Sequence, residues 1–318
     1  MMAAIDTFLN IESIDMTYAG LQAGFLEGEV AVIPGSTSNI GLAYARAIAW
    51  AGGKVVVSGT NAENGAEIER VINAENSPGT AIFVKCDVTQ ESDVQNLAEK
   101  ALETFGKVDI LINNAMNMRL NGPILGSPGS LLEQSFAISG LGVLYAINAF
   151  VPGMVERKHG VVVYSSTQYH YTPRYIGSAI YTATKAAASS LTMSLANEIG
   201  PYDEHGVSVF MYLPTGVGRR RPPSGGAASA DGEAPPPPRP SSTGFAGPVP
   251  PESNAAGLLH CLLNRGKLHG SGVSTVEALH AMDYPFPYPE AARQSTMHRL
   301  SDIELTWVHR NIGKGFSE

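Results

Sequence analysis

Short β-branched runs alternate with helix-length segments along most of this chain, and that alternation restricts the fold more than any other feature. Strands are expected at residues 30–33, 54–58, 81–85, 108–112, 160–164 and 207–213, with a last one at 272–276. Between them lie 39–51, 63–76, 91–105, 130–156 and 179–199, each long enough for a helix. A helix between two strands carries the chain back across the sheet, so that neighbouring strands run parallel with both faces covered. The expected fold is therefore α/β, one domain built on a doubly wound parallel sheet.

The texture then changes. Residues 222–251 hold ten prolines in 30 positions, including "PPPP" at 235–238, with Gly, Ser and Ala filling most of the rest. Such a stretch buries too little apolar surface to offset its ordering entropy. It reads as an insert in the domain, at 218–252, because an apolar helix at 254–263 and the final strand follow it. The domain itself is expected over 28–278. An N-terminal extension, 1–27, precedes it, and a C-terminal extension, 279–318, follows with "YPFPYPE" and Trp307.

Composition narrows the classes of function. The chain has 318 residues, 44% hydrophobic and 16% charged, enough for a sizeable core. Its net charge of -8 argues against nucleic acid and anionic membrane surfaces, which need clustered Lys and Arg. The only basic run is "RRR" at 219–221. Two cysteines, Cys86 and Cys261, make neither a disulfide framework nor a metal-ligand cluster, so no metal is expected and a cytoplasmic setting is. The first residues lack the positive start of a secretory signal. Residues 134–155 carry no acid or base and are long enough to span a bilayer. Gln134, Ser135, Ser139, Asn148 and Pro152 are poor lipid-facing residues, so a buried helix is the expectation, with no membrane partner.

In open parallel sheets ligands bind at the carboxyl ends of the strands, where the topology reverses. The informative residues collect there. "PGSTSNIG" (34–41) follows the first strand, "CDV" (86–88) the third, "NNAM" (113–116) the fourth and "YSS" (164–166) the fifth, while "YTATK" (181–185) opens a helix. Gly35 allows a sharp turn, and Gly41 lets the helix pack close to the strand with its N-terminal amides toward a pyrophosphate. The position between them is Asn39, the non-glycine residue best able to tolerate a left-handed backbone. Weakened rather than abolished nucleotide binding is expected from that exchange. Tyr181 and Lys185, four apart, share one helix face. An ammonium about 4 Å from a phenol is worth about 4 kcal/mol at an effective dielectric of about 20, enough to bring a phenol's pKa from about 10 to about 7.

In this order, each at a strand end, these motifs resemble those of the short-chain dehydrogenase/reductase family over roughly residues 28–278. That family carries a TGxxxGIG turn, D-V or D-L, NNAG, a Ser before YxxxK, and P-G after the sixth strand. The resemblance implies an atypical member with a Rossmann-like fold. It would be a nicotinamide-dependent oxidoreductase passing hydride between cofactor and a small-molecule carbonyl or secondary alcohol. Catalytic roles are implied for Ser166 as hydrogen-bond donor to the substrate oxygen, with Ser165 a weaker candidate. Tyr181 is implied as acid or base and Lys185 as the cation beside it and the holder of the nicotinamide ribose. Ser139 stands where the family has the Asn of a tetrad. Cofactor contacts are implied at Gly35, Ser36, Asn39, Ile40, Gly41, Thr60, Asn61, Asp87, Val88, Asn114, Ala115, Tyr181, Lys185, Pro214, Gly216 and Val217.

The departures matter as much. Pro34 replaces Thr, Met116 replaces the Gly of NNAG, Ser139 replaces Asn, and Thr215 stands at the usual Gly of P-G. They leave open two alternatives, elimination or isomerisation on the same scaffold, and cofactor binding without turnover. After the second strand, "SGTN" supplies neither an acid for the ribose of NAD nor an Arg for the phosphate of NADP. With no acid to repel the phosphate, the balance between NAD and NADP tips to NADP. Tyr169, His170, Tyr171 and Tyr175 lie near Ser166 in sequence and suit an aromatic or polycyclic substrate, or loop packing. The helices at 130–156 and 179–199 resemble the pair through which the family forms homo-oligomers, dimers or tetramers.

Overall fold

The computed structural model describes residues 16–167, 178–217 and 251–282. Seven strands form one parallel sheet in the order β3-β2-β1-β4-β5-β6-β7. They are Val30–Pro34 (β1), Lys54–Gly59 (β2), Ala81–Lys85 (β3), Ile110–Asn113 (β4), Gly160–Ser165 (β5), Val207–Leu213 (β6) and Gly272–Ser274 (β7). The helices are Asn39–Trp50 (α1), Ala62–Glu75 (α2), Glu91–Phe105 (α3), Gly129–Phe136 (α4), Gly142–Glu156 (α5), Ala179–Ile199 (α6), the single turn Tyr202–His205 (α7), Pro251–Leu263 (α8) and Thr275–Ala281 (α9). Because β1 lies between β2 and β4, the winding direction reverses at β1/β4, and a crevice opens at the carboxyl ends there.

The core is two layers, one per face, as the two-residue period of a strand requires. Ala31, Ile33, Val55, Val57, Ile110 and Ile112 face α1, α2, α8 and α9, whereas Val32, Val56, Leu111 and Val162 face α3, α5 and α6. Met16, Ala19, Leu21 and Leu26, ahead of β1, and Leu279 in α9 join the first layer.

Several expected bounds shift by one to three residues, and two differences have a visible cause. The last strand stops at Ser274 instead of reaching 276, because Ser274 accepts a hydrogen bond from the Glu277 amide (3.2 Å) and Glu277 accepts one from the Ser274 amide (2.7 Å). This capping box starts α9 at Thr275. The helix expected at 130–156 contains a π-helical stretch, Ala137–Leu141, between α4 and α5. The whole run Gly129–Glu156 is long and apolar enough to cross a membrane, and half of its most apolar window is buried in the fold. The aromatic residues 169–175, the basic run 219–221, the proline-rich stretch up to residue 250 and the tail with Trp307 lie outside the described residues.

At the amino edge of the sheet the charges are paired. The buried Asp109 accepts from the Val30 amide at 3.1 Å and faces Lys107 at 2.8 Å and Arg157 at 3.5 Å. Glu29 faces Arg265 at 2.8 Å and His159 at 3.1 Å. The ligand-type atoms of Glu29, Asp109 and His159 lie within 4.8 Å of one another. The cluster ties the starts of β1, β4 and β5 to the segment after α8.

Candidate active site

A cleft of about 1240 Å³ runs along the carboxyl edge of the sheet. At one end stands the β1–α1 turn. Gly35 has φ +79°, and a side chain there would put its first carbon 2.6 Å from the Ala115 backbone. At Gly41 the same atom would sit 2.3 Å from the Gly35 carbonyl oxygen and 2.6 Å from the Asn114 amide nitrogen. The Asn114 amide in turn donates to the Gly35 carbonyl at 2.9 Å, locking the turn to the end of β4. Asn39 has φ +49°, the left-handed conformation anticipated for it. Ser38, the N-cap of α1, makes no side-chain bond to the first turn, and Thr37 through Gly41 line the cleft. The first turn of α1 therefore borders the opening, and the amino end of a helix favours an anion.

The other end is built by α6 against β5. Tyr181, Lys185 and Ser189 recur every fourth residue, so all three share the face turned to the strand end. Lys185 is buried, and its Nζ donates to the Ser165 carbonyl at 2.5 Å and lies 4.8 Å from the centre of the Tyr164 ring. Burial pushes its pKa down to about 7. The positive charge beside Tyr181 therefore fades as pH rises through about 7. An anion in the cleft would restore it. Ser166 Oγ shares a 2.7 Å hydrogen bond with Ser189 Oγ, which fixes the hydroxyl to α6. Ser189 was not anticipated, although its place four residues beyond Lys185 would have shown it.

Most of the anticipated residues meet in the one cleft. Gly35, Asn39, Ile40, Gly41, Thr60, Asp87, Val88, Asn114, Ala115, Ser166, Tyr181, Lys185, Pro214, Gly216 and Val217 all line it. Three do not. Ser36 is fully buried, its hydroxyl donating to the Ile33 carbonyl (2.6 Å) and accepting from the Ser58 amide (2.9 Å), so it welds β1 to β2. Asn61 caps α2 by accepting from the Asn64 amide at 3.0 Å. Ser139 sits in the π-helical stretch with no exposure, and its hydroxyl donates to the Met116 sulfur at 3.2 Å. Thr37, Ser38, Gly59, Met116 and Thr167 also line the cleft, with no role assigned to them from the sequence.

Comparison with known proteins agrees with this geometry. A family model described as short chain dehydrogenase matches residues 29–220, more than half of the chain. An uncharacterized oxidoreductase of Staphylococcus saprophyticus is 33% identical over 176 residues, 55% of this chain and 73% of that protein. Short chain aldehyde dehydrogenase 1 of Euphorbia lathyris is 30% identical over 193 residues, 60% of this chain and 65% of its own length, a little under two thirds. Secoisolariciresinol dehydrogenase of Forsythia intermedia is 30% identical over 200 residues, 61% of this chain and 69% of that protein. Among solved structures, a short chain dehydrogenase/reductase family protein is similar with a TM-score of 0.64 and 29% identity, over 78% of this chain and 96% of that one. A 7α-hydroxysteroid dehydrogenase complexed with NADH and 7-oxo glycochenodeoxycholic acid shares the fold, with a TM-score of 0.66 at 23% identity, over 78% of this chain and 93% of that one.

Proposed function

The chain belongs to the short-chain dehydrogenase family, and from that premise we propose that it is a nicotinamide-dependent oxidoreductase acting on a small-molecule carbonyl or secondary alcohol. The observation that carries this reading is the meeting of Ser166, Tyr181 and Lys185 in the same cleft as the Gly35–Gly41 turn. The relatives named as dehydrogenases support it.

The residues present fit a dinucleotide. The cleft exceeds the roughly 300–1,000 Å³ usual for small-molecule sites, the first turn of α1 borders it, and at Gly216 a side chain would meet nothing within 4 Å. Gly35, Asn39, Ile40, Gly41, Thr60, Asp87, Val88, Asn114, Ala115, Pro214, Gly216 and Val217 would hold the cofactor. Ser36 and Asn61 would act from behind, by shaping the turn and the start of α2. Gly59 and Thr60, at the end of β2, offer no carboxylate, and the lining's carboxylate, Asp87, follows β3, which supports NADP over NAD.

When bound, a nicotinamide ring supplies or accepts the hydride. Tyr181 gives its hydroxyl proton to the substrate oxygen as that oxygen gains charge, or takes it in the reverse direction. Ser166, held by Ser189, donates a hydrogen bond to the same oxygen. Lys185 holds a proton beside Tyr181 and favours its phenolate form. Ser139, with its hydroxyl turned to Met116, takes no part in these steps. Titration with NADH and NADPH, followed by a panel of ketones read at the nicotinamide absorbance, tests the proposal. Tight binding with no turnover of any ketone would instead favour the non-redox or binding-only reading.

A homo-oligomer is also proposed. Leu132, Phe136, Leu141, Leu144 and Val155 on the Gly129–Glu156 run, with Leu191 on α6, are between 36% and 47% exposed. A second copy of the same face would cover them. Light scattering at micromolar concentration tests this, and a monomer would refute it.

A further inference from the structure

We infer that Asn121 is a positioning residue for Tyr181, capping the catalytic helix from a different part of the chain. The inference rests on the assignment of Tyr181 as acid or base. A helix leaves its first N–H groups without partners, and a Ser at the N-cap ordinarily accepts from the second or third of them. Ser178 is the N-cap of α6, yet its side chain makes no such bond.

The β4–α4 loop supplies the acceptors instead. The Tyr181 amide, third in the helix, donates to Asn121 Oδ1 at 3.2 Å. The Ile180 amide, second in the helix, donates to the Gly122 carbonyl at 3.4 Å. The Asn121 amide group donates to Ser178 Oγ at 3.2 Å, so the N-cap hydroxyl is itself oriented by the loop. Intrahelical bonding begins one residue later, with Thr182 donating to the Ser178 carbonyl at 3.0 Å. Asn121 Oδ1 also accepts from the Gly122 amide at 2.9 Å, which fixes the side chain before the helix reaches it.

The consequence is specific to Tyr181. Its own main-chain N–H is the group that Asn121 grips, so the loop sets where the backbone of Tyr181 stands relative to the cleft. Met116, Asn117, Met118 and Leu120 of the same loop line that cleft. Displacement of a reacting group by about 1 Å costs about 10²-fold in rate, so the hold of this loop on Tyr181 bears on turnover.

Two variants separate this role from a general structural one. Asn121→Ala removes both the acceptor and the donor. Asn121→Asp keeps an acceptor and adds a negative charge near Tyr181, which disfavours the phenolate. Hydrogen exchange of the 178–182 amides is measured in both variants, in Tyr181→Phe and in the unaltered protein. Reduction of cyclohexanone and acetophenone with NADPH and NADH is followed against pH in the same set. The expected result is faster exchange at 180 and 181 in Asn121→Ala alone, with turnover down at least tenfold and cofactor affinity unchanged. Asn121→Asp should restore protection and most of the turnover, with the pH profile moved upward. Unchanged exchange in Asn121→Ala overturns the inference, as does a pH profile in Asn121→Asp that matches the unaltered protein. If the unaltered protein reduces neither ketone, that result counts against the redox reading of Tyr181, and the exchange measurement still decides the cap.

Discussion

The two edges of the sheet treat charge in opposite ways. At the amino edge, among the described residues, the carboxylates face cations: Asp109 faces Lys107 and Arg157, and Glu29 faces Arg265. At the carboxyl edge the buried cation Lys185 has a carbonyl and a ring face, and burial brings its pKa down to about 7. A paired edge stabilises the fold. An unpaired buried cation costs stability and is ready for an incoming anion, which is how a site differs from a scaffold.

The largest expected effect lies at the carboxyl edge. Tyr181→Phe keeps the ring and removes the hydroxyl, so turnover should fall by about 10² to 10⁴ while cofactor still binds. Near full activity in this variant would remove Tyr181 from the chemistry.

Next comes the amino edge. Asp109→Ala strands the Val30 amide and removes the carboxylate that Lys107 and Arg157 face, and should destabilise the fold by about 2 kcal/mol in denaturant unfolding. Turnover per folded molecule should not change, because the length of β4 separates this residue from the cleft. A loss of turnover without a loss of stability would erase the contrast between the edges.

Lys185→Met should do the reverse. Folding holds the lysine near pKa 7 against an ordinary 10.5, so the unfolded chain binds more protons between those values and stability rises with pH across that window. Below about pH 7 both states are protonated and the cost is fully present. The methionine variant should therefore be more stable at pH 7, by an amount on the order of 2 kcal/mol. The rise with pH should flatten, and turnover and cofactor affinity should both drop. A less stable variant at pH 7 would show that the cation is already compensated.

The smallest effect is at the turn. Asn39 holds φ +49°, and Asn39→Gly should tighten cofactor binding about threefold, roughly 0.7 kcal/mol. Weaker binding would mean that the Asn39 side chain itself contacts the cofactor.

The parts visible in the sequence are those that local periodicity encodes. Runs such as "KVVVS" and "GVVVY" gave β2 and β5 because a strand buried on both faces is apolar throughout. The convergence of Gly35, Asn114 and Ser166 was legible because each follows a strand of a fold whose crevice lies at the strand ends, and that of Tyr181 and Lys185 because they share one face of a helix. The capping box that ends β7 was written in "STVE" and passed over. What stayed hidden depends on distance and burial. Glu29 and Arg265 are 236 residues apart, and no local pattern joins them. The sequence shows that residue 185 carries an amine, but only burial against Tyr164 and Ser165 brings its pKa to about 7. Likewise the bond from Ser139 to Met116 joins two departures that read as unrelated exchanges along the chain.

Hydride transfer can be read directly with NADPH and NADH deuterated at the transferring carbon. Ketones are incubated with the purified protein, and the alcohol products are analysed by mass spectrometry. The expected result is deuterium on the carbinol carbon of at least one product, reduced by two orders of magnitude or more in Tyr181→Phe although that variant still binds the cofactor. Tight cofactor binding with no deuterium in any product, in either direction of the reaction, would contradict the assignment of this cleft as a redox site.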